Sequence, residues 1–266
     1  MIHGDLKDVP TERLIELSLR RGTTRRDHWE PIIELGKRTG RQDLLKTEAL
    51  APSSNWFHRK VCAEVFGHYK VSKEKPRSVE RILIRLLRDP DHRVIAASAN
   101  SLWAGKCKRA ITTLAALRQN RHAIVRYAVA GALFGLDEPL ALETLVALAS
   151  DTARTVRLCA TFGLGSMGLC NSPNVVAALV KNVGDKDSMI VGEALLGLVW
   201  RKHPDIVNLT SMALTREAVD RLTLDAAAEV RDSVLLPKLL ELKKRFKGKA
   251  DERYFQSLNH AIVMCS

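Results

Sequence analysis

The stretch HRVIAASANSLWAG, residues 92–105, decides the fold because it returns in altered form along the chain. The later copies are AIVRYAVAGALFGL from Ala123, RTVRLCATFGLGSM from Arg154 and SMIVGEALLGLVWR from Ser188. Aligned on Val94, Val125, Val156 and Ile190, the copies are 31, 31 and 34 residues apart. A weaker copy, WFHRKVCAEVFGHY, precedes them by 36 residues if His58 takes the anchor position. Such a recurring period indicates a repeat architecture.

Apart from Glu193, the four strong copies are apolar or small at offsets 0, +3, +4, +7 and +8 from the anchor, which is the stripe of an amphipathic helix. Another helical run precedes each copy, so the unit is helix, short polar turn, helix. One such pair cannot bury its own apolar face, and neighbouring pairs must cover it. The sequence therefore predicts an all-α fold, an α-solenoid of stacked antiparallel helix pairs.

The turns inside the pairs carry acids where the second helix should begin. Asp89-Pro90-Asp91, Asp151 and Asp185 are predicted to cap those helices by accepting backbone N–H groups, and Pro173 suits a first helical turn.

These features resemble HEAT-like repeats of the phycobilin-lyase type. The residues that carry the resemblance are Asp89-Pro90-Asp91, Val125-Arg126, Val156-Arg157 and Leu164-Gly165. It is good over residues 79–200 and weaker over 50–78 and 205–250. We expect a helical cap region over 1–50, the solenoid over 51–250, and a tail or capping helix over 251–266. The resemblance implies a binding surface rather than a particular catalytic activity.

The run Gly163-Leu164-Gly165-Ser166-Met167-Gly168 has the G-x-G-x-x-G spacing of a dinucleotide-binding turn. Such a turn must follow a strand and open a helix, whereas this run closes a helical segment. Gly163 aligns with the small residues Ser101, Ala132 and Gly197, which predicts close helix packing. Gly165 and Gly168 are expected to cap the helix with positive φ.

Composition narrows the class of protein. The five cysteines have irregular spacing, which favours a reducing compartment, and the start of the chain lacks the apolar segment of a secretory signal, so we expect a cytoplasmic protein. No apolar run is long enough to span a membrane. The net charge of the whole chain is +12. The excess of basic over acidic residues is greatest over residues 81–160, which contain 12 Lys/Arg and 6 Asp/Glu.

The second helices of a solenoid line its concave surface, and offsets +1, +2, +5 and +9 should be the most exposed. This predicts a partner-binding set made of Trp103, Arg126, Tyr127, Phe134, Arg157, Leu158 and Thr161. Arginine beside aromatic rings is typical of binding hot spots. The alternative is that Arg126 and Arg157 pair with turn acids. Contacts to phosphate or to an acidic partner are predicted for Lys106, Lys108, Arg109, Arg118 and Arg121.

Signals for chemistry are weak. His58, Cys62 and His68 have no evident fourth ligand, so packing is favoured over a metal site. Glu193 stands out as an acid where the other copies have Ala97, Ala128 and Cys159. HEAT-like alkylpurine DNA glycosylases use tryptophans and a carboxylate, which Trp103, Trp200 and Glu193 resemble in type only. We predict no catalytic residue, cofactor or metal.

The sequence thus favours a non-enzymatic protein that binds a protein partner, as an adaptor, a scaffold or an inhibitor such as an immunity protein. The alternative is a nucleic-acid binder or a glycosylase-like enzyme, and a lyase-type chaperone for a chromophore is a third hypothesis. The identity of the partner, the oligomeric state and the role of residues 1–50 stay open.

Overall fold

A computed structural model describes residues 6–20, 25–38, 40–69, 76–103, 106–248 and 250–266. Within these ranges the chain forms sixteen α-helices and no strand, which confirms the predicted all-α class. The helices are α1 Thr11–Ser18, α2 Arg25–Lys37, α3 Arg41–Glu48, α4 Trp56–Gly67, α5 Arg77–Leu86, α6 His92–Leu102, α7 Ile111–Ala116, α8 Ala123–Ala132, α9 Pro139–Leu148, α10 Arg154–Gly165, α11 Pro173–Val183, α12 Ser188–Trp200, α13 Ile206–Leu214, α14 Arg221–Val230, α15 Leu236–Arg245 and α16 Glu252–Met264.

The chain divides into two compact units, Met1–Leu133 (unit 1) and Phe134–Ser266 (unit 2). In unit 1 the second helices of the pairs, α4, α6 and α8, pack side by side, while α5 and α7 cover them as first helices. The helices α1, α2 and α3 precede this layer, and α2 and α3 pack against α4. The pairs thus stack as the repeat predicts.

Unit 2 repeats the same construction. Its second helices α10, α12, α14 and α16 follow one another in a row, and α11 and α13 pack on α12. At the C-terminal end, α15 ends at Arg245, and α16, Glu252–Met264, lies within the range for which a tail or capping helix is predicted.

The anchor positions of the repeat form the core. Val94 and Val125 in unit 1, and Val156 and Ile190 in unit 2, are completely buried. Apolar side chains at helical spacing therefore decide which face of each second helix turns inward.

A side chain two residues before the N-cap organises each of five turns, and the N-cap side chain adds a second hydrogen bond before α4, α6 and α12. Asp91 and Asp187 cap α6 and α12 by accepting N–H groups of the first helical turn. Asp89, Asp151 and Asp185 lie two residues before the N-cap, so the prediction that these three cap the helices directly is wrong. They accept the N–H of the N-cap residue instead. The acceptor and N-cap pairs, joined at 2.8–3.2 Å, are Ser53 with Asn55, Asp89 with Asp91, Asn120 with His122, Asp151 with Ala153 and Asp185 with Asp187.

Candidate partner-binding surfaces

The second helices of unit 1 expose a stripe of large side chains. On α8, Ile124 and Tyr127 are 51% and 41% exposed and share one helix face because they are three residues apart. On α6, which packs beside α8, Arg93 and Trp103 are exposed. Arg93 and Ile124 each lie one residue before the anchor valine of their repeat, so stacking places them at the same level. We call these four residues the second-helix stripe.

The N-terminal edge of this stripe is rich in rings and charges. The guanidinium carbon of Arg93 lies 3.3 Å from the centre of the Trp56 ring, and its Nη2 donates to Asp91 at 2.6 Å. That hydrogen bond lowers the pKa of Asp91 to about 2. The rings of His92 and His122 stack with their centres 3.8 Å apart. Desolvation and the adjacent positive charges lower the pKa of His122.

Arginines at offset +1 link successive turns within each unit. In unit 1, Arg59 donates to both carboxylate oxygens of Asp89 at 2.6 and 2.8 Å. In unit 2, Arg157 donates to both oxygens of Asp185 at 2.8 and 3.3 Å. Each arginine also donates Nη1 to carbonyls of its own turn, and so does Arg126 to the carbonyl of Asn120 at 2.7 Å. We call an Arg–Asp link of this kind a rung.

One rung is missing inside unit 1. Offset +1 on α6 is Ile95, which is 7% exposed, and the turn that a rung would reach carries Asn120 in place of an aspartate. A shallow groove lies at this point, between the end of α5, the first turns of α6, and α7. Sequence analysis missed this gap, although the change from Arg59 to Ile95 at one offset was its signal.

Two predicted contact residues in unit 2 are not exposed, and the expectation for them is wrong. Phe134 is 4% exposed because its ring packs on Phe162, with ring centres 5.4 Å apart. Thr161 is completely buried, accepts from Asn182 at 2.7 Å and donates to the carbonyl of Arg157 at 2.8 Å. A helix offset alone does not show what packs against it.

The remaining predicted contact residues are divided between the units. Trp103 and Tyr127 in unit 1 are exposed, and Arg126 is half-buried. In unit 2, Leu158 is half-buried, and Arg157 serves the rung to Asp185, which is the pairing that the sequence left open as the alternative.

The predicted basic contacts are all exposed but fall into two groups at opposite ends of α7. Lys106, Lys108 and Arg109 lie in the connection from α6, and Arg109 pairs with Glu80 at 2.6 Å. Arg118 and Arg121 lie in the turn that leads to α8.

The position of Glu193 is explained by Ser166, the residue that directly follows α10. Its Oε2 accepts from the hydroxyl of Ser166 at 2.7 Å, and the side chain is 9% exposed. Burial raises the pKa of Glu193 and Asp220 adds to the effect, while the hydrogen bond from Ser166 opposes it. A hydroxyl thus satisfies the acid that the repeat pattern left unexplained.

The glycine run binds an arginine of its own chain. Arg201 donates from its guanidinium to the carbonyls of Leu164 and Gly168 at 2.6 and 2.7 Å and to that of Cys170 at 3.0 Å. The run therefore presents oxygens to a cation, which is the opposite of a phosphate-binding turn, where N–H groups face an anion.

The glycines themselves allow close packing. A Cβ on Gly163 would lie 2.7 Å from the ring of Phe134, so the small residue here makes room for that side chain. The predicted positive φ for Gly165 and Gly168 is wrong, because neither adopts it. Gly165 lies inside α10, where a Cβ would lie 2.8 Å from the carbonyl oxygen of Glu193 on α12.

The net charge is confined to one unit. Residues 1–133 contain 26 Lys/Arg and 14 Asp/Glu, a net charge of +12, whereas residues 134–266 contain 16 of each and are neutral. No acid occurs from residue 92 to residue 136. Unit 1 is therefore the half of the chain that attracts anionic groups.

The three side chains considered as metal ligands, His58, Cys62 and His68, lie in different surroundings. Cys62 is completely buried, His58 Nδ1 is 3.3 Å from the hydroxyl of Ser53, and the ring of His68 meets Trp29 edge to face. In the described part of the chain, no three or more His, Cys, Asp and Glu side chains are grouped so that they could hold a metal ion.

No helix among the described residues combines the length and apolarity needed to cross a membrane.

Comparison with known proteins agrees with this architecture. The sequence model of the HEAT-repeat family matches residues 79–165 and again 111–198. Protein YibA of Escherichia coli K12 is 25% identical over 215 residues, which are 78% of this chain and 76% of YibA. The crystal structure of YibA from E. coli covers 97% of this chain and 93% of its own, with 21% identity and a TM-score of 0.72. Importin beta covers 96% of this chain with 41% of its own, at 13% identity and a TM-score of 0.60.

The periodic anchors and the paired helices agree with these matches: residues 79–198 are HEAT repeats, and the chain is an all-α solenoid.

Proposed function

We propose that this chain is a non-enzymatic protein that binds a protein partner through the second-helix face of its repeats, as an adaptor, a scaffold or an inhibitor of the immunity-protein type. The observation that carries the proposal is the second-helix stripe. Ile124, Tyr127 and Trp103 are between 41% and 51% exposed on two adjacent helices of unit 1. Large exposed side chains grouped on one face of a monomer are typical of interaction sites.

The composition of the stripe suits a protein surface. Tyrosine, tryptophan and arginine are enriched in binding hot spots, and the two aromatic side chains bury much area at a small entropic cost. Arg93 is held by Asp91 and by the ring of Trp56, so this cation is already ordered before a partner binds. Preorganisation of this kind reduces the entropy lost on association.

The test is capture of partners from the host by the tagged wild-type protein and by the double variant Trp103→Ala/Tyr127→Ala. We expect a stoichiometric protein that survives nuclease treatment and is lost from the variant. The double variant Met212→Ala/Leu240→Ala is the matched control, because it removes two exposed side chains from first helices of unit 2. Arg126 is left unchanged because its guanidinium holds the carbonyl of Asn120.

Equal capture by wild type and the Trp103→Ala/Tyr127→Ala variant, with melting temperatures unchanged, contradicts the site. The charge of unit 1 favours a nucleic-acid binder as the second candidate. Capture of nucleic acid that nuclease removes, with no persistent protein, supports that candidate and the glycosylase-like hypothesis instead.

A further inference from the structure

The groove at the missing rung has an apolar floor. Leu87 at the end of α5 and Ile95 on α6 lie at its base, and Ala116 and Leu117 from the α7 segment form a wall. Where a rung exists, the arginine at this offset crosses to the next turn and is itself covered, with Arg59 and Arg157 side chains 13% and 12% exposed. Ile95 is too short to do so, which leaves the concavity.

The rim of the groove is positively charged. Arg88 is exposed and lines it, with Nη2 3.4 Å from the hydroxyl of Thr113. Arg118, which directly follows Leu117, is exposed as well. The one acid in the lining is Asp89, whose carboxylate is 4% exposed and bound by Arg59. The turn beyond carries the neutral Asn120, so the described rim lacks an uncompensated carboxylate.

From this geometry we propose that the groove binds an acidic segment of a partner protein that inserts one aliphatic side chain between α5 and α7. The aliphatic side chain covers Leu87 and Ile95, and the flanking carboxylates pair with Arg88 and Arg118. Charge complementarity selects an acidic partner, since unit 1 has a net charge of +12. A polypeptide fits better than nucleic acid, because single strands bind through aromatic stacking platforms and this lining is aliphatic and threonine.

The test measures anisotropy of a labelled short peptide made of glutamates with one central leucine. We expect saturable binding, weaker when serine replaces the leucine. The variant Ile95→Arg/Asn120→Asp installs the missing rung and fills the groove, and it should weaken binding about tenfold or more, which corresponds to a loss of about 1.4 kcal/mol. Arg88→Glu should weaken it similarly without touching the core, and Arg253→Glu in unit 2 is the matched charge control.

Peptide binding that is equal in the wild type and the Ile95→Arg/Asn120→Asp variant overturns the proposal, and so does tighter binding of oligothymidylate that Arg88→Glu weakens. Retained peptide binding by Trp103→Ala/Tyr127→Ala supports a site distinct from the second-helix stripe. The inference is thereby tested separately from the proposed function, which is measured by capture of the partner.

Discussion

Glu193 shows how one residue can satisfy its hydrogen bond and still reduce stability. Because its folded pKa is raised, the folded state holds this proton more tightly than the unfolded chain does. The stability from the protonated carboxyl is present below the ordinary glutamate pKa and is lost as pH rises through the folded pKa. The periodicity identified this position as unusual, but the hydroxyl of Ser166 that accounts for it comes from another helix.

We predict that Glu193→Gln raises the free energy of unfolding near neutral pH, because the amide oxygen can still accept from Ser166 without carrying a buried charge. Urea denaturation should show a higher midpoint at about pH 7 and a vanishing difference below about pH 4. A lower midpoint at neutral pH contradicts this account and indicates that the ionised carboxylate is stabilising.

The cysteines differ in burial. Burial raises the pKa of Cys159 to about 12, and burial followed by the charge of Glu48 raises that of Cys62. Cys170 is half-exposed. Since the thiolate is the nucleophile, we predict that a thiol reagent labels Cys170 first in the native protein.

The measurement is mass-spectrometric mapping of the labelled peptides over time, with Cys170→Ser as the control that should abolish the fast phase. Labelling of Cys159 as rapid as that of Cys170 contradicts the assigned burial.

At the scale of the elements, the helices of unit 2 approach each other through glycine. A Cβ on Gly197 of α12 would lie 2.7 Å from the Cα of Gly165, whereas one on Gly131 of α8 meets nothing within 4 Å. We predict that Gly197→Ala destabilises the protein by about 1–3 kcal/mol through overpacking. Gly131→Ala should instead stabilise it by about 0.5–1 kcal/mol, since alanine loses less backbone entropy in a helix.

Thermal or denaturant unfolding of both alanine variants measures the two changes in stability. Unchanged or increased stability of Gly197→Ala contradicts the close approach of α10 and α12, and a destabilised Gly131→Ala contradicts the open space beside Gly131.

The Arg–Asp links should contribute unequally to the free energy of unfolding, according to how deeply each link is buried. Arg157→Ala strands the Asp185 carboxylate, which is 10% exposed, and we expect a loss of about 3 kcal/mol. Arg154→Ala removes a link to Asp187 from an arginine that is 51% exposed, so its effect should be much smaller. Denaturant unfolding of the two variants measures the contrast.

The pH dependence of the same rung has a definite sign. Burial alone would raise the pKa of Asp185, but hydrogen bonds from Arg157 and from the N–H of Asp187 lower it. Its contribution is therefore present above about pH 4 and is lost as pH falls through the folded pKa. The difference between wild type and Arg157→Ala should shrink in acid, and a constant difference contradicts the assignment.

Periodicity predicted the elements because the apolar residues that a helix buries must recur about once per turn. The second helices begin at or within two residues of the first letters of the aligned copies, and Pro173 begins α11 as expected. Exposure was predicted for Tyr127 correctly and for Phe134 wrongly, because the latter lies beyond the end of α8, where helical spacing no longer applies. Contacts made by distant residues, such as Asn182 on Thr161, carry no local pattern.

At the scale of the whole molecule, the unequal division of charge has a thermodynamic consequence. Self-repulsion opposes compactness only where like charges exceed their partners, so it should act in unit 1 and not in unit 2. We predict that added sodium chloride slows amide hydrogen exchange in α5–α8 more than in α10–α14, because it screens the excess arginines and lysines. Hydrogen-exchange mass spectrometry across a salt series tests this prediction. An equal salt-dependent change in protection in both units contradicts it.

Segmental charge counts on the sequence showed a basic middle but not this division. The sequence contains no marker of the boundary between Leu133 and Phe134, since the 31-residue step continues through it. The domain limits predicted at residues 50 and 250 stay predictions.

The missing rung also has a consequence for how the sequence evolves. An arginine at position 95 facing Asn120 would be a cation without a carboxylate, and an aspartate at position 120 facing Ile95 would be a carboxylate without a cation. We therefore expect neither change to persist alone. The two positions should therefore vary together among descendants of a common ancestor. Lineages that carry Arg at 95 should carry Asp at 120, and their proteins should have lost the groove.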